Sequence, residues 1–103
     1  MSLRIQIPDE KINEFCQRWK IAELSLFGSV LREDFRPDSD IDVLVRFLPD
    51  VSHGLFDLVR MQDELKQLFG HNIDLVLRTA IEESRNYIRR QEILGSLEEI
   101  YAA

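Results

Sequence analysis

An α/β fold, a small mixed sheet of three or more strands with helices packed on it, is predicted from three observations. Short apolar runs of strand length alternate with stretches of helical periodicity, in the order αβαβαβα. No internal repeat, low-complexity tract or linker interrupts that order. With 103 residues, 45% hydrophobic and 31% charged, the chain has material for a single domain, 1–103, with one modest core.

Pro8 to Trp19 begins with Pro-Asp-Glu, which favours a helix N-terminus, and places Ile12, Phe15, Cys16 and Trp19 on one helical face. Ile21 to Phe27 is the first strand, and Gly28-Ser29 ends it. Ser29 to Phe35 reads as a short helix packed through Val30 and Leu31, and Arg36-Pro37-Asp38-Ser39 is a turn by composition. A second strand follows, opening with Asp40 and Asp42. Residues 48–54 read as a loop. Leu55, Leu58, Val59, Gln62, Leu65, Leu68 and Phe69 then repeat every 3.6 residues as far as Gly70, a helix stop. Asn72 to Leu77 is a third strand, with Ile73, Leu75 and Leu77 on one face and Asp74 on the other. From Thr79, a candidate cap with Glu82 at the capping-box offset, the pattern is helical again. Ile88, Leu94, Leu97, Ile100 and Tyr101 supply its apolar positions, in two pieces.

The charge balance narrows the function. A net charge of −6 and a pI near 4.8, with no block of Lys or Arg, argue against a grip on long nucleic acid and suit a basic partner protein. No run of about 18 apolar residues is present, and MSLRIQIPDE lacks the apolar block of a signal peptide, so a cytoplasmic site and no membrane contact are expected. Cys16 is the one cysteine, which excludes an internal disulfide, and its apolar neighbours predict a buried, inert thiol. His53 and His71 sit in loops with no nucleophile or metal set nearby in sequence.

The chemistry concentrates in residues 24–47, LSLFGSVLREDFRPDSDIDVLVRF. Asp40 and Asp42 lie two positions apart on a strand, so both project from one face and can share a cation. Ile41, Val43 and Val45 on the other face are apolar enough to be buried, which would hold the acids on a rigid element. Gly28 permits close backbone approach, and the free N–H groups of a following helix suit a phosphate. A calcium loop starting at Asp38 is excluded, because Val43 and Pro49 stand where such a loop needs Gly and Glu.

Gly28-Ser29, ten residues, and then Asp40-Ile41-Asp42 resembles the signature of the nucleotidyltransferase superfamily that includes DNA polymerase beta. LFGSVLREDFRPDSDIDVLV, LFDLVRMQDELKQLFGHNIDLVL and IRRQEILGSLEEIY together look like its smallest branch, the minimal nucleotidyltransferases, over nearly the whole chain. The resemblance implies a polymerase beta-like core in which the acidic pair binds metal and triphosphate, and the Gly-Ser turn holds the phosphates. A carboxylate on a neighbouring strand completes the site. By that resemblance Asp40, Asp42 and Asp74 are the catalytic and metal-binding set for Mg²⁺, with two ions roughly 3.5–4 Å apart. Gly28, Ser29 and Arg32 are the nucleotide-binding set, with ATP as substrate. Val30 and Glu33 depart from the Gly-Ser-Arg-x-Arg-Gly run of that branch, at positions that bear on phosphate affinity.

Relatives of this kind are typically antitoxins that transfer AMP from ATP to a tyrosine hydroxyl of a HEPN-domain toxin. The same function, of type VII-like antitoxin, is the leading expectation here. Two alternatives stay open: a binding-only antitoxin, and a small-molecule nucleotidyltransferase. A homo-oligomer also stays open.

Overall fold

The computed structural model describes residues 8–28, 36, 39–83 and 85–103. Helix α1, Asp9–Arg18, carries Asp9 and Glu10 in its first turn and Arg18 in its last, which complements the helix dipole at both ends. Lys20 adopts a left-handed φ of 56° and reverses the chain into β1, Ile21–Phe27. Strand β2, Ile41–Phe47, runs antiparallel to β1, with Leu26 opposite Val43 and Phe27 opposite Asp42. The expected turn before it closes with the Ser39 N–H donating to the Arg36 carbonyl at 2.9 Å. The short helix expected over Ser29–Phe35 lies outside the described residues.

Helix α2, Leu55–Phe69, ends at Gly70, whose φ of 73° and N–H bond to the Lys66 carbonyl form a left-handed stop. Strand β3, Ile73–Leu77, then returns parallel to β2, as a strand–helix–strand crossover requires. Two short helices follow, α3 at Arg78–Glu82 and α4 at Tyr87–Leu94, and β4, Glu98–Ala102, closes the chain antiparallel to β1. The sheet order is β3-β2-β1-β4, so β1 and β2 are central.

The two faces of the sheet carry separate cores. On one, Ile12, Phe15 and Cys16 of α1 and Met61, Leu65 and Phe69 of α2 cover Leu24, Leu26, Ile41, Val43, Val45 and Ile73. The predicted burial of Ile41, Val43 and Val45 thus holds. On the other, Ile81 and Ile93 cover Phe27 and Leu44 in a smaller cluster flanked by Val76, Leu94 and Leu97. Because α3 and α4 are short, the described residues cover this second face only in part.

The end of the chain differs from the expected helix. Gly95 and Ser96 stop α4, their N–H groups donating to the carbonyls of Gln91 and Ile93. Beyond them the outer edge of β1 offers a ladder of backbone partners, and 98–102 pair with it as a strand, which leaves Ile100 and Tyr101 packed against the main core. Thr79 is not a cap: α3 starts at Arg78 with Leu77 before it and no side-chain cap bond. Ile88 is open to solvent rather than packed, because the buried position of α4 is Ile93.

Candidate active site

Asp42 is positioned by its neighbours. It lies on a central strand between the fully buried Ile41 and Val43, and its backbone pairs with Phe27 on one side and Asp74 on the other. In-register neighbours on paired strands point to the same face. The Asp42 and Asp74 side chains therefore project together from strands about 4.8 Å apart. Gly28, directly after β1, has a φ of 79°, and a Cβ there would lie 2.2 Å from Asp42 Oδ2. The absence of a side chain at Gly28 is what lets the carboxylate occupy the end of β1.

These residues border a cavity of about 320 Å³ lined by Phe27, Gly28, Asp42, Asp74, Val76, Glu92, Ile93 and Ser96. Among the described residues, three carboxylates and no basic side chain line it. Arg46, two alternations along β2 on the same face, is tied up elsewhere: its Nε donates to Glu23 at 3.1 Å, and Arg78 donates to the same carboxylate at 2.9 Å. The described lining is thus rich in carboxylates, a setting that favours a cation. A pair of carboxylates open to solvent suits Mg²⁺, which is commonly held by one or two carboxylates plus substrate phosphates. Among the described residues, no three His, Cys, Asp or Glu side chains form a ready-made cage, so phosphate oxygens and water would have to complete the shell.

Of the residues singled out from the sequence, Gly28, Asp42 and Asp74 come together. Asp40 is exposed, one residue ahead of β2, and is not among the lining residues. Ser29 and Arg32, with Val30 and Glu33, lie outside the described residues. Glu92 and Ser96 are new to the site. In the sequence Glu92 resembles any solvated helix residue, and only the fold of α4 over the sheet reveals it.

The remaining candidates are structural. His53 Nε2 donates to the Trp19 carbonyl at 2.8 Å, and its ring packs edge-on against Trp19 and beside Phe47. Cys16 is fully buried, and burial pushes its thiol up to about 12. A second hollow of about 270 Å³ between α1 and α2 is bordered by Arg18 and Glu64, which pair with each other. No helix among the described residues is long and apolar enough to cross a membrane.

The family model described as "Nucleotidyltransferase domain" matches residues 9–95. The protein adenylyltransferase MntA of Thermococcus cleftensis is 31% identical over 68 residues, which are 66% of this chain and 67% of that protein. A candidate protein adenylyltransferase of Methanocaldococcus jannaschii is 31% identical over 65 residues, 63% of this chain, and the match spans only 64% of that relative's length. Among solved structures, a candidate minimal nucleotidyltransferase superposes with a TM-score of 0.66 at 29% identity, covering 87% of this chain and 86% of its own. The tri-AMPylated HEPN toxin of Shewanella oneidensis in complex with MNT antitoxin gives a TM-score of 0.55 at 18% identity, covering 92% and 70%, a likeness of fold.

Proposed function

The chain belongs to the nucleotidyltransferase domain family, and on that premise we propose that it is the antitoxin of a toxin–antitoxin pair, transferring AMP from ATP to a hydroxyl of a HEPN-domain toxin. The observation that carries this reading is the placement of Asp42 and Asp74 in register beside Gly28, at the mouth of one anionic cavity. The relatives lend support, since one is named a protein adenylyltransferase and one solved complex holds an AMPylated HEPN toxin.

In this reading residues 1–103 act as one domain in the cytoplasm. Asp42 and Asp74, with Asp40 assigned by the family resemblance, would hold Mg²⁺, as two ions, which when bound neutralises charge on the transferring phosphoryl group. Ser29 and Arg32, outside the described residues, are assigned to the triphosphate by the family resemblance alone. The acceptor hydroxyl, a tyrosine in this proposal, attacks the α-phosphorus. A new bond forms between acceptor oxygen and phosphorus, the bond to pyrophosphate breaks, and the hydroxyl proton passes to Asp74. Val76, Ile93 and Phe27 form an apolar wall that limits water.

The partner must also be held, and the first turns of α2, on the sheet face opposite Asp74, offer an apolar surface for a part of it remote from the acceptor hydroxyl. Leu55, Phe56 and Val59 are 75%, 83% and 52% exposed, beside a groove of about 190 Å³ lined also by Leu58, Leu75 and Leu77.

The test incubates the protein with labelled ATP, Mg²⁺ and the product of the neighbouring gene. Label on the partner is expected, and it should vanish in Asp40→Asn with Asp42→Asn. Label that survives those changes, or never appears, ends the enzymatic reading. A binding-only antitoxin, for which Val30 and Glu33 speak, is separated by the same variant: it would still neutralise the toxin in cells.

A further inference from the structure

The two walls of the cavity differ in chemistry. The sheet wall presents Gly28, Asp42 and Asp74, and the helix wall presents Glu92 and Ser96 around Ile93. Building on the nucleotide-transfer reading, we infer that Glu92 and Ser96 bind the ribose 2′- and 3′-hydroxyls of the nucleotide.

Hydrogen-bond polarity leads to that assignment. The Ser96 hydroxyl proton is already committed, since Oγ donates to the Glu92 carbonyl at 2.6 Å. Its remaining capacity is to accept. An ionised carboxylate can also only accept, and among the described residues Glu92 makes no side-chain hydrogen bond or ion pair. The helix wall therefore offers acceptors alone, and its ligand must bring donors.

A triphosphate at neutral pH brings none. It is repelled further by the partial negative charge at the C-terminal end of α4, where Glu92 and Ser96 sit. The cation is already assigned to the sheet wall, at Asp42 and Asp74. The donor-bearing part of a nucleotide that offers two neighbouring hydroxyls is the ribose. Ser96 lies just past the end of α4, and its bond to the Glu92 carbonyl keeps the two residues together at that end of the helix. Two acceptors so placed can take the two hydroxyl protons of a cis-diol. The base then lies along Ile93 and Val76, and the phosphates run toward Gly28 and the acidic pair. A cavity of about 320 Å³ is large enough for a ribose and part of a base.

The consequence is selectivity for ribonucleotides. Hydrogen bonds to charged groups predict that the full chain with Mg²⁺ binds ATP about 10-fold more tightly than 2′-deoxy-ATP. Calorimetric titration of both nucleotides reads the ratio directly. In Glu92→Ala the ratio should fall to about 1–2, and in Ser96→Ala to an intermediate value, with thermal melting used to verify that each variant is folded. Glu92→Gln should keep part of the preference, since its carboxamide oxygen still accepts.

A wild-type ratio near one overturns the ribose assignment while leaving the nucleotide reading intact. So does a ratio that Glu92→Ala does not change, including the case where that variant loses transfer to the partner but keeps its preference, which would make Glu92 a proton acceptor for the incoming hydroxyl. A chain that binds neither nucleotide removes both proposals.

Discussion

Gly28→Ala separates two reasons for the same glycine. At φ 79° an alanine pays for a left-handed backbone, about 1–2 kcal/mol. Restricting the unfolded chain returns about 0.4–1 kcal/mol, which leaves a net backbone cost of about 1 kcal/mol. The new methyl would also sit 2.2 Å from Asp42 Oδ2 and 3.2 Å from its Cγ, so the carboxylate must swing off its rotamer, at about 0.5–1.5 kcal/mol. The sum is about 2 kcal/mol. Gly70 is the internal control, since it has a φ of 73° and nothing within 4 Å of a built Cβ. Gly70→Ala should therefore show the backbone cost alone, about 1 kcal/mol or a Tm loss of roughly 4–8 °C. In an Asp42→Ala background the remaining contact of a methyl at 28 is with the Cβ, at an ordinary 3.5 Å, and Gly28→Ala should shrink to the Gly70 value. Urea unfolding of the four variants and the wild type measures this as a coupling between positions 28 and 42 of about 1 kcal/mol. Equal costs for Gly28→Ala in both backgrounds would refute the close approach of Asp42 to the end of β1. The acidic pair would then not be arranged as described.

Leu65→Ala removes a fully buried side chain from α2 and is expected to cost about 2–5 kcal/mol in urea unfolding. A loss under about 1 kcal/mol would mean that α2 does not pack on the sheet through this face. Cys16 gives a pH signature. Its thiol ionises near 9.0 when exposed and is pushed up to about 12 by burial, so above pH 9 the unfolded chain releases the proton first. Stability is then full below pH 9 and falls as pH rises toward 12, by up to about 1.4 kcal/mol per unit. Unfolding curves across that range should steepen this loss in the wild type and flatten it in Cys16→Ala, and parallel curves would count against a buried thiol. Glu23→Gln leaves Arg46 and Arg78 without their shared carboxylate. A loss of roughly 1 kcal/mol that shrinks in molar salt is expected, and a loss indifferent to salt would assign it to packing.

How far the fold can be read from the chain depends on how local its causes are. Helix α2 is legible because six apolar positions repeat at helical spacing and Gly70 supplies a stop whose backbone only glycine adopts easily. β1 is legible from its bounding turns. β4 is not, because Leu97, Ile100 and Tyr101 fit a helical spacing as well as a short strand. What decides between them is the unpaired edge of β1, more than 70 residues earlier. Thr79 shows the same limit on a smaller scale: the capping pattern is present, yet α3 begins directly at the end of β3, with no intervening turn for a cap to occupy.

The site divides along the same line. Alternation along β2 places Asp42 opposite the buried Val43 side, and that can be read from residues 41–45 alone. Its meeting with Asp74 needs one more quantity, the register of β3, and a strand–helix–strand connection brings the two residues level. Asp40 marks where parity reasoning stops: the strand begins at Ile41, so the position of Asp40 follows from the turn before it rather than from the pleat. Glu92 and Ser96 have no signature at all in the sequence. They reach the cavity because α4 is short and half-covers the second face, which leaves its C-terminal end over the acids with Ile93 as the anchor. A longer α4 with a second buried turn would close that face and exclude any ligand. Among the described residues, the small second core, a weakness for stability, is the same feature that leaves the cavity beside Asp42 and Asp74.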